Sequence, residues 1–270
     1  MPEGPEVSQI SQSLNKLVKN KVLKNVKILQ GGKYENKAPN NYEIFTHNLP
    51  QKVLGVKNKG KIMYWEFGNG NYMYNHLNMT GFWSVDIEYK HSALCFVFDN
   101  FRLFYTDIRR FGKVEFLEGK ANIQKALDKL GPDILNDKGF KFKQFLEIVE
   151  KKKRTNITRF LMDQGNISGI GNYLKAEILY ESKISPHRTV GSLNGLELKV
   201  LYDNAKKITN LSYQSKGMSK TDYRDLNGEK GDFQRFLKVY SKDKDPSNNK
   251  VKSEKTKDGR TTYWVPEVQI

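Results

Sequence analysis

Cysteine is almost missing from this 270-residue chain. Cys95 is the only one, so no disulfide can close within the chain and no cluster of cysteine thiolates can hold zinc. It lies in the run Ala93-Leu94-Cys95-Phe96-Val97-Phe98, where it reads as a core residue of a strand and not as a thiol nucleophile. Histidine is scarce too: His47, His76, His91 and His187 are scattered without the spacing of metal ligands, so neither metal nor other cofactor is expected. No apolar run approaches the length of a membrane-spanning helix. The start Met-Pro-Glu-Gly-Pro-Glu-Val lacks the basic and apolar regions of a signal peptide, and a soluble, intracellular protein is expected. Acids are in deficit, 30 against 46 Lys and Arg, for a net charge of +16. That balance points to a polyanion such as nucleic acid, with a membrane surface as the competitor.

The length suits one large or two ordinary domains, and the patterning favours two. Val7, Ile10, Leu14, Leu17 and Val18 recur at spacings of three and four, which predicts a helix over about 4–19. Residues 22–30 alternate like a strand, and 31–43 read as a loop. Strands are then predicted at 53–57, 61–67, 71–76, 81–87, 93–98, 101–106 and 113–117, with turn chemistry at Gly68-Asn69-Gly70 and Asp99-Asn100. So many short strands suggest a β-sandwich or barrel. A helix at about 121–130 precedes Gly131-Pro132-Asp133-Ile134-Leu135-Asn136-Asp137-Lys138-Gly139, which reads as an interdomain linker. Beyond it the pattern turns helical, at 141–150, 154–163, 173–182 and 195–211. The glycine-rich turn 165–172 suits backbone N–H groups offered to phosphate. The polar segment 214–231 is long enough to be mobile or functional. The tail from 237 reads as a strand, a charged loop and a hairpin ending near Gln269. No internal repeat is visible.

Several residues stand apart from this scaffold. A processed terminus beginning Pro2-Glu3 would set a secondary amine beside a carboxylate at the head of a helix, a nucleophile with an acid/base partner. An α-amino group has a reference pKa of roughly 7.7–8.0 and is partly unprotonated near neutrality. The plain alternative is a frayed helix start. Lys61 follows Gly60 at the mouth of a strand, although as one of 37 lysines it would by count face solvent. Met79 sits in a polar turn, where it could also plug a core. Arg109 and Phe111 share the turn Asp107-Ile108-Arg109-Arg110-Phe111-Gly112, where the arginine could simply pair with an acid. A flexible apolar side chain, a guanidinium and a ring on such loops would together suit filling a gap in a base stack.

In order along nearly the whole chain, PEGPE, Gly60-Lys61, HLNMTG, DIRRFGK, LGPDIL, GIGNYLKAE and GRTTYW resemble the formamidopyrimidine-DNA glycosylase / endonuclease VIII family of DNA repair glycosylases. The resemblance implies an α+β fold. An N-terminal β-sandwich with flanking helices would occupy 1–130, with a linker at 131–139. A helix-two-turn-helix DNA-binding domain would occupy 140–270, its finger hairpin at about 237–270. Many members hold zinc there with two Cys-x-x-Cys pairs. The matching positions here are Ser247, Lys250, Val265 and Val268, which cannot bind zinc. The chain in this respect resembles the zincless-finger, endonuclease VIII-like subgroup, in which hydrophobic packing substitutes for the metal.

The same resemblance implies base excision repair by a bifunctional DNA glycosylase/abasic-site lyase. Pro2, freed of Met1, would form a Schiff base at C1′. Glu3 would protonate the opening sugar and shuttle protons, and Lys61 would contact phosphate or assist elimination. Asn172 and Arg260 would grip phosphates flanking the lesion, and Met79, Arg109 and Phe111 would fill the void. Glu6 and Glu177 either support this site or are capping and surface charges. The expected partner is double-stranded DNA with oxidised bases or abasic sites, with single-stranded DNA a further candidate, bound by a monomer. Expected substrates are oxidised pyrimidines, hydantoins and formamidopyrimidines, with β,δ-elimination of the strand. The alternatives are an 8-oxoguanine-directed enzyme, a catalytically silent DNA-binding protein of the same fold, and an RNA-type binder.

Overall fold

A computed structural model describes residues 2–218, 226 and 231–270. The chain divides into two compact units, one of Met1–Pro2, Glu6–Lys129 and Met218–Gly231, the other of Glu3–Pro5, Leu130–Gly217 and Asp232–Ile270.

The first unit carries most of helix α1 (Gly4–Val18), whose Val7, Ile10, Leu14 and Val18 are buried in its core. Strand β1 (Val22–Leu23) and strand β2 (Asn25–Ile28) follow. Next come α2 (Tyr42–His47), β3 (Gln51–Lys59), β4 (Ile62–Phe67), β5 (Asn71–His76), β6 (Gly81–Val85), β7 (Ser92–Val97), β8 (Arg102–Asp107), β9 (Lys113–Glu118) and α3 (Lys120–Leu127). Two antiparallel sheets result, ordered β1-β3-β4-β5-β9 and β2-β7-β8-β6. In β4 the alternation is direct: Met63, Trp65 and Phe67 are buried while Tyr64 and Glu66 are partly exposed, as a two-residue period demands. Trp65 meets Trp83 of the other sheet at 5.4 Å and Phe96 at 5.9 Å between ring centroids. These contacts make the two sheets a sandwich around one aromatic core. Asn15 of α1 accepts from the Val56 N–H at 2.9 Å, next to the register shift in β3 between Val53 and Gly55.

The second unit contains α4 (Phe142–Lys151), α5 (Ile157–Met162), α6 (Asn172–Glu181) and α7 (Gly195–Gln214), then the hairpin of β10 (Lys252–Lys255) and β11 (Thr261–Trp264). The α+β fold of sandwich, helical domain and terminal hairpin agrees with expectation. Residues 131–139 pack within this unit: the Ile134 N–H donates to the Ser168 carbonyl at 3.1 Å, and the Ser168 N–H to that of Pro132 at 2.9 Å.

Four local expectations are corrected. The single strand over 22–30 is two, β1 pairing with β3 and β2 with β7, so Lys24 marks a change of sheet. The expected loop over 31–43 runs into α2, whose buried Phe45 stacks on Phe116 at 4.2 Å. The helix expected from 154 begins at Ile157, because the Asn156 side chain caps it by accepting from the Thr158 N–H at 3.0 Å. Finally, no strand forms at 237, where the N–H groups of Lys238, Val239 and Tyr240 all donate to the Glu177 carboxylate instead of to a neighbouring strand.

Candidate functional site

In the first unit, the sandwich places three expected residues on adjoining loops. Strands β6 and β8 pair with Gly81 opposite Asp107, so the turn leading into β6 and the turn leaving β8 lie side by side. Met79 (41% exposed) and Phe111 (53% exposed) project from these turns. The Arg109 guanidinium lies 4.9 Å from the Phe111 ring centroid, and its Nη1 is 3.4 Å from the Met79 sulfur. Met79 is therefore no core plug, and Arg109 faces a sulfur and a ring in place of an acid.

Lys61 occupies the tight turn between β3 and β4, where Lys59 pairs with Ile62. It is only 7% exposed, contrary to what lysine abundance alone suggests. Ile62 in turn pairs with His76 on β5. Burial, aided by the Lys61 charge, pushes the His76 imidazole down to about 4. His76 is thus neutral near pH 7 and adds no second cation beside Lys61. Pro2 is buried and belongs to the same unit.

Glu3, Asn172 and Arg260 belong to the second unit. The Glu3 carboxylate is 2% exposed and sits on the N-terminus of α6. It accepts from the N–H groups of Gly171 at 2.7 Å, Tyr173 at 2.9 Å and Leu174 at 3.3 Å. An anion there meets both free N–H donors and the positive end of the helix dipole. A Cβ on Gly171 would come 2.2 Å from the Glu3 carboxyl carbon, so this approach requires glycine. The glycine-rich turn was expected to face phosphate; here part of it faces a carboxylate of the protein itself.

Helix α6 also positions the hairpin. Asn172 donates from Nδ2 to the Thr261 carbonyl at 3.0 Å, which ties it next to Arg260. One turn along, Lys175 (0% exposed) pairs with Asp258 at 2.6 Å. Burial lowers the Lys175 pKa. Burial is also the largest influence on Asp258 and raises it, but hydrogen bonds from Lys175 and Thr256 together hold it below the usual range. Asp258 Oδ1 accepts from the Thr256 hydroxyl at 2.6 Å, within the turn that carries Arg260. Arg159, Lys257 and Arg260 line the open cleft beside this turn, with Asp163 and Asp258.

Of the positions expected to match zinc ligands, the two valines lie in or against an apolar cluster. Val265 is buried with Ala176, Val239 and Val251, and Val268 packs against that cluster. Around Ser247, the Asp245 carboxylate accepts from the N–H groups of Ser247 and Asn249, at 2.9 and 2.8 Å, and from the Tyr180 hydroxyl at 3.0 Å. Among the described residues no group of three His, Cys, Asp or Glu side chains could hold a metal ion, and no helix is long and apolar enough to cross a membrane.

Glu177 and Glu6 are both buried, so neither is a surface charge. Glu177 accepts the three N–H groups at 238–240, with its pKa raised by burial against those bonds. Glu6 accepts from the Met218 N–H at 2.7 Å. Of the segment 214–231, long enough to be functional, residues 219–225 and 227–230 lie outside the described residues. Sequence reasoning missed His76, Lys175, Asp258 and Asp107 as contributors. The one available signal was in Asn172-Tyr173-Leu174-Lys175-Ala176-Glu177-Ile178-Leu179, where two charges interrupt an otherwise core-like run.

Residues 1–114 match the family described as formamidopyrimidine-DNA glycosylase N-terminal domain, 130–223 its H2TH domain and 225–270 its C-terminal domain. A formamidopyrimidine-DNA glycosylase of Ligilactobacillus salivarius is 33% identical over 254 residues, covering 91% of this chain and 90% of that protein. Among solved structures, the complex between the Lactococcus lactis Fpg and an abasic site containing DNA superposes with a TM-score of 0.88 at 25% identity, covering 99% of each chain. A structure of MutM in complex with carbocyclic 8-oxo-G containing DNA gives the same TM-score, identity and coverage.

Proposed function

Because this chain belongs to the formamidopyrimidine-DNA glycosylase family, whose members are DNA glycosylase/abasic-site lyases of base excision repair, we propose that it excises oxidised bases through a covalent intermediate at Pro2. The observation that carries this reading is the Glu3 carboxylate. It is buried, held by three backbone N–H groups, and joined by one peptide bond to the only secondary amine a processed chain would own. A side chain free to swing could not deliver a proton to a defined atom.

The chemistry follows from the groups. With Met1 attached, Pro2 has an amide nitrogen and no nucleophilic lone pair; with Met1 removed it is an amine. The amine attacks C1′, the C1′–N bond to the base breaks, and the base leaves with the bonding electrons and takes a proton from water. The Glu3 carboxylate takes the proton that the Pro2 nitrogen sheds and passes it to the ring oxygen as the sugar opens, leaving an iminium between Pro2 and C1′. Because the iminium formed from a secondary amine has no N–H, it cannot shed its positive charge by losing a proton; it draws electrons and acidifies the C2′–H. Loss of that proton expels the 3′ phosphate, and a second elimination expels the 5′ phosphate. Lys61 supplies a cation for the phosphate charge that develops.

The nucleotide must leave the stack to reach such an amine, at a cost of a few kcal/mol that is lower for damaged pairs. Met79, Arg109 and Phe111 are suited to occupy the space it vacates, and Asn172 and Arg260 to hold the flanking phosphates. Duplex DNA is the partner, bound by a monomer, with affinity falling as salt rises. Oxidised pyrimidines, hydantoins and formamidopyrimidines are the proposed substrates. A second reading, 8-oxoguanine excision, is favoured by the lesion in the MutM complex, whereas the name that the relatives carry agrees with the formamidopyrimidines of the first. Excision from oligonucleotides bearing thymine glycol, 5-hydroxyuracil, a hydantoin or 8-oxoguanine, opposite each base, separates the two.

Borohydride reduction on abasic-site DNA tests the mechanism. Protein lacking Met1 is expected to become covalently linked through Pro2, and Pro2→Gly to be trapped far less. Absence of any adduct with the processed wild-type chain overturns the mechanism.

A further inference from the structure

We propose that Asp107 is the positioning residue that holds the Met79 turn and the Arg109–Phe111 turn together, so that the void-filling side chains act as one wedge. The inference rests on the wedge role given to those side chains above.

Asp107 ends β8 and is completely buried. Its two carboxylate oxygens serve different turns. Oδ1 accepts from the Thr80 hydroxyl at 2.7 Å, the residue after Met79; Oδ2 accepts from the Gly112 N–H at 2.5 Å, the residue after Phe111. Thr80 completes the circuit, because its Oγ1 also accepts from the Arg109 N–H at 3.0 Å. Asn78 adds a further strut, donating to the Phe111 carbonyl. Each wedge residue is thus chain-adjacent to, or itself part of, a group hydrogen-bonded within this circuit.

The backbone leaves little slack around it. Arg110 lies at φ 58° and Asn78 at φ 52°, left-handed conformations that non-glycine residues hold only when surroundings impose them. A Cβ on Gly112 would come 2.9 Å from Asp107 Oδ2 and 2.0 Å from the Tyr105 hydroxyl, so only glycine can bring its N–H this close. A buried carboxylate is costly unless its oxygens are occupied. Here they are occupied by two loops that share no other buried side chain of this kind among the hydrogen bonds described. Met79 and Phe111 leave 41% and 53% of their surface exposed, so core packing encloses neither on all sides.

The test compares strand cleavage at an abasic site in a duplex with cleavage at the same site in the single strand, where no base stack needs filling. Asp107→Ala removes both acceptors and Thr80→Val removes the bridging hydroxyl. Each is expected to lower the duplex rate by about tenfold and the single-strand rate by less than about twofold, the scale of one buried hydrogen bond left unmade. Asp107→Asn can still accept from Gly112 while donating to Thr80, and Thr80→Ser keeps its hydroxyl, so both should restore most of the duplex rate. A merely structural defect would lower both substrates together and would overturn the inference, as would an unchanged duplex rate in Thr80→Val. Should Asp107→Ala fail to fold, Thr80→Val decides. The double variant Met79→Ala/Phe111→Ala separates the two levels. If it shows the duplex-selective loss and the Asp107 and Thr80 variants do not, only the positioning role falls. If it shows none, the wedge reading falls and the positioning role with it.

Discussion

The paired turns of the sandwich and the N-terminus of α6 solve one problem with different materials. In both, a side chain proposed to meet DNA is exposed and lies close to a buried charge that hydrogen-bonds into the same turn or the adjoining one. Under the turns the charge is Asp107, and its partners are one hydroxyl and one backbone N–H. Around α6 there are four charges, Glu3 on backbone N–H groups, Glu177 on backbone N–H groups, and Lys175 paired with Asp258. A carboxylate held by N–H groups needs no counter-charge. Lys175 has one, and a buried ion pair is only as good as its second member. The two regions should therefore fail differently: the turns by losing register, the helix and hairpin by stranding a charge.

The largest effect tests that asymmetry. Lys175→Met leaves Asp258 buried without its cation and should cost about 3–5 kcal/mol in chemical denaturation. Lys175→Met combined with Asp258→Leu should recover most of that loss. If the single variant is as stable as the parent, the pair does not secure the hairpin.

A smaller effect belongs to the sandwich. His76 has its pKa at about 4 in the folded chain, against 6.5 as the ordinary value. Between those values the unfolded chain binds more protons, so stability rises with pH across the window. It is lost as pH falls from 6.5 towards 4 and stays level below that. The loss is on the order of 3 kcal/mol. Denaturation midpoints measured from pH 7 to pH 4 should flatten in His76→Gln; an equal slope in both proteins would remove His76 as its source.

The smallest effect separates backbone grip from base-level contact. Arg260→Ala should lower the slope of log affinity against log salt by about 0.9, the share of one phosphate contact. Phe111→Ala should leave that slope unchanged, because a ring releases no counterion. Equal slopes for the parent and Arg260→Ala would remove the phosphate role.

Much of the architecture was legible because it depends on local periodicity. Met63, Trp65 and Phe67 alternate in β4, and Val7, Ile10, Leu14 and Val18 recur on α1; either pattern can be read without knowing what it packs against. The strand expected at 237 failed for the opposite reason. Its residues look like a strand, but whether backbone donors meet another strand or a carboxylate depends on Glu177, 61 residues away in sequence from Lys238. A candidate for the site could be named from the sequence as well, since Pro2-Glu3 has chemistry in its own covalent structure.

By itself, then, the sequence determined the element types, the absence of a cysteine-ligated zinc site, the positive charge, and an ordered set of motifs that resembles one repair family. Tertiary structure alone decided which charges are buried. Lys61, Asp107, Lys175 and Glu177 look like any surface charge in a chain so rich in them. A charged group can be buried only where specific partners offset its lost hydration. Those partners, Gly112, Thr80 and Asp258 among them, are brought within reach by folding and not by spacing along the chain.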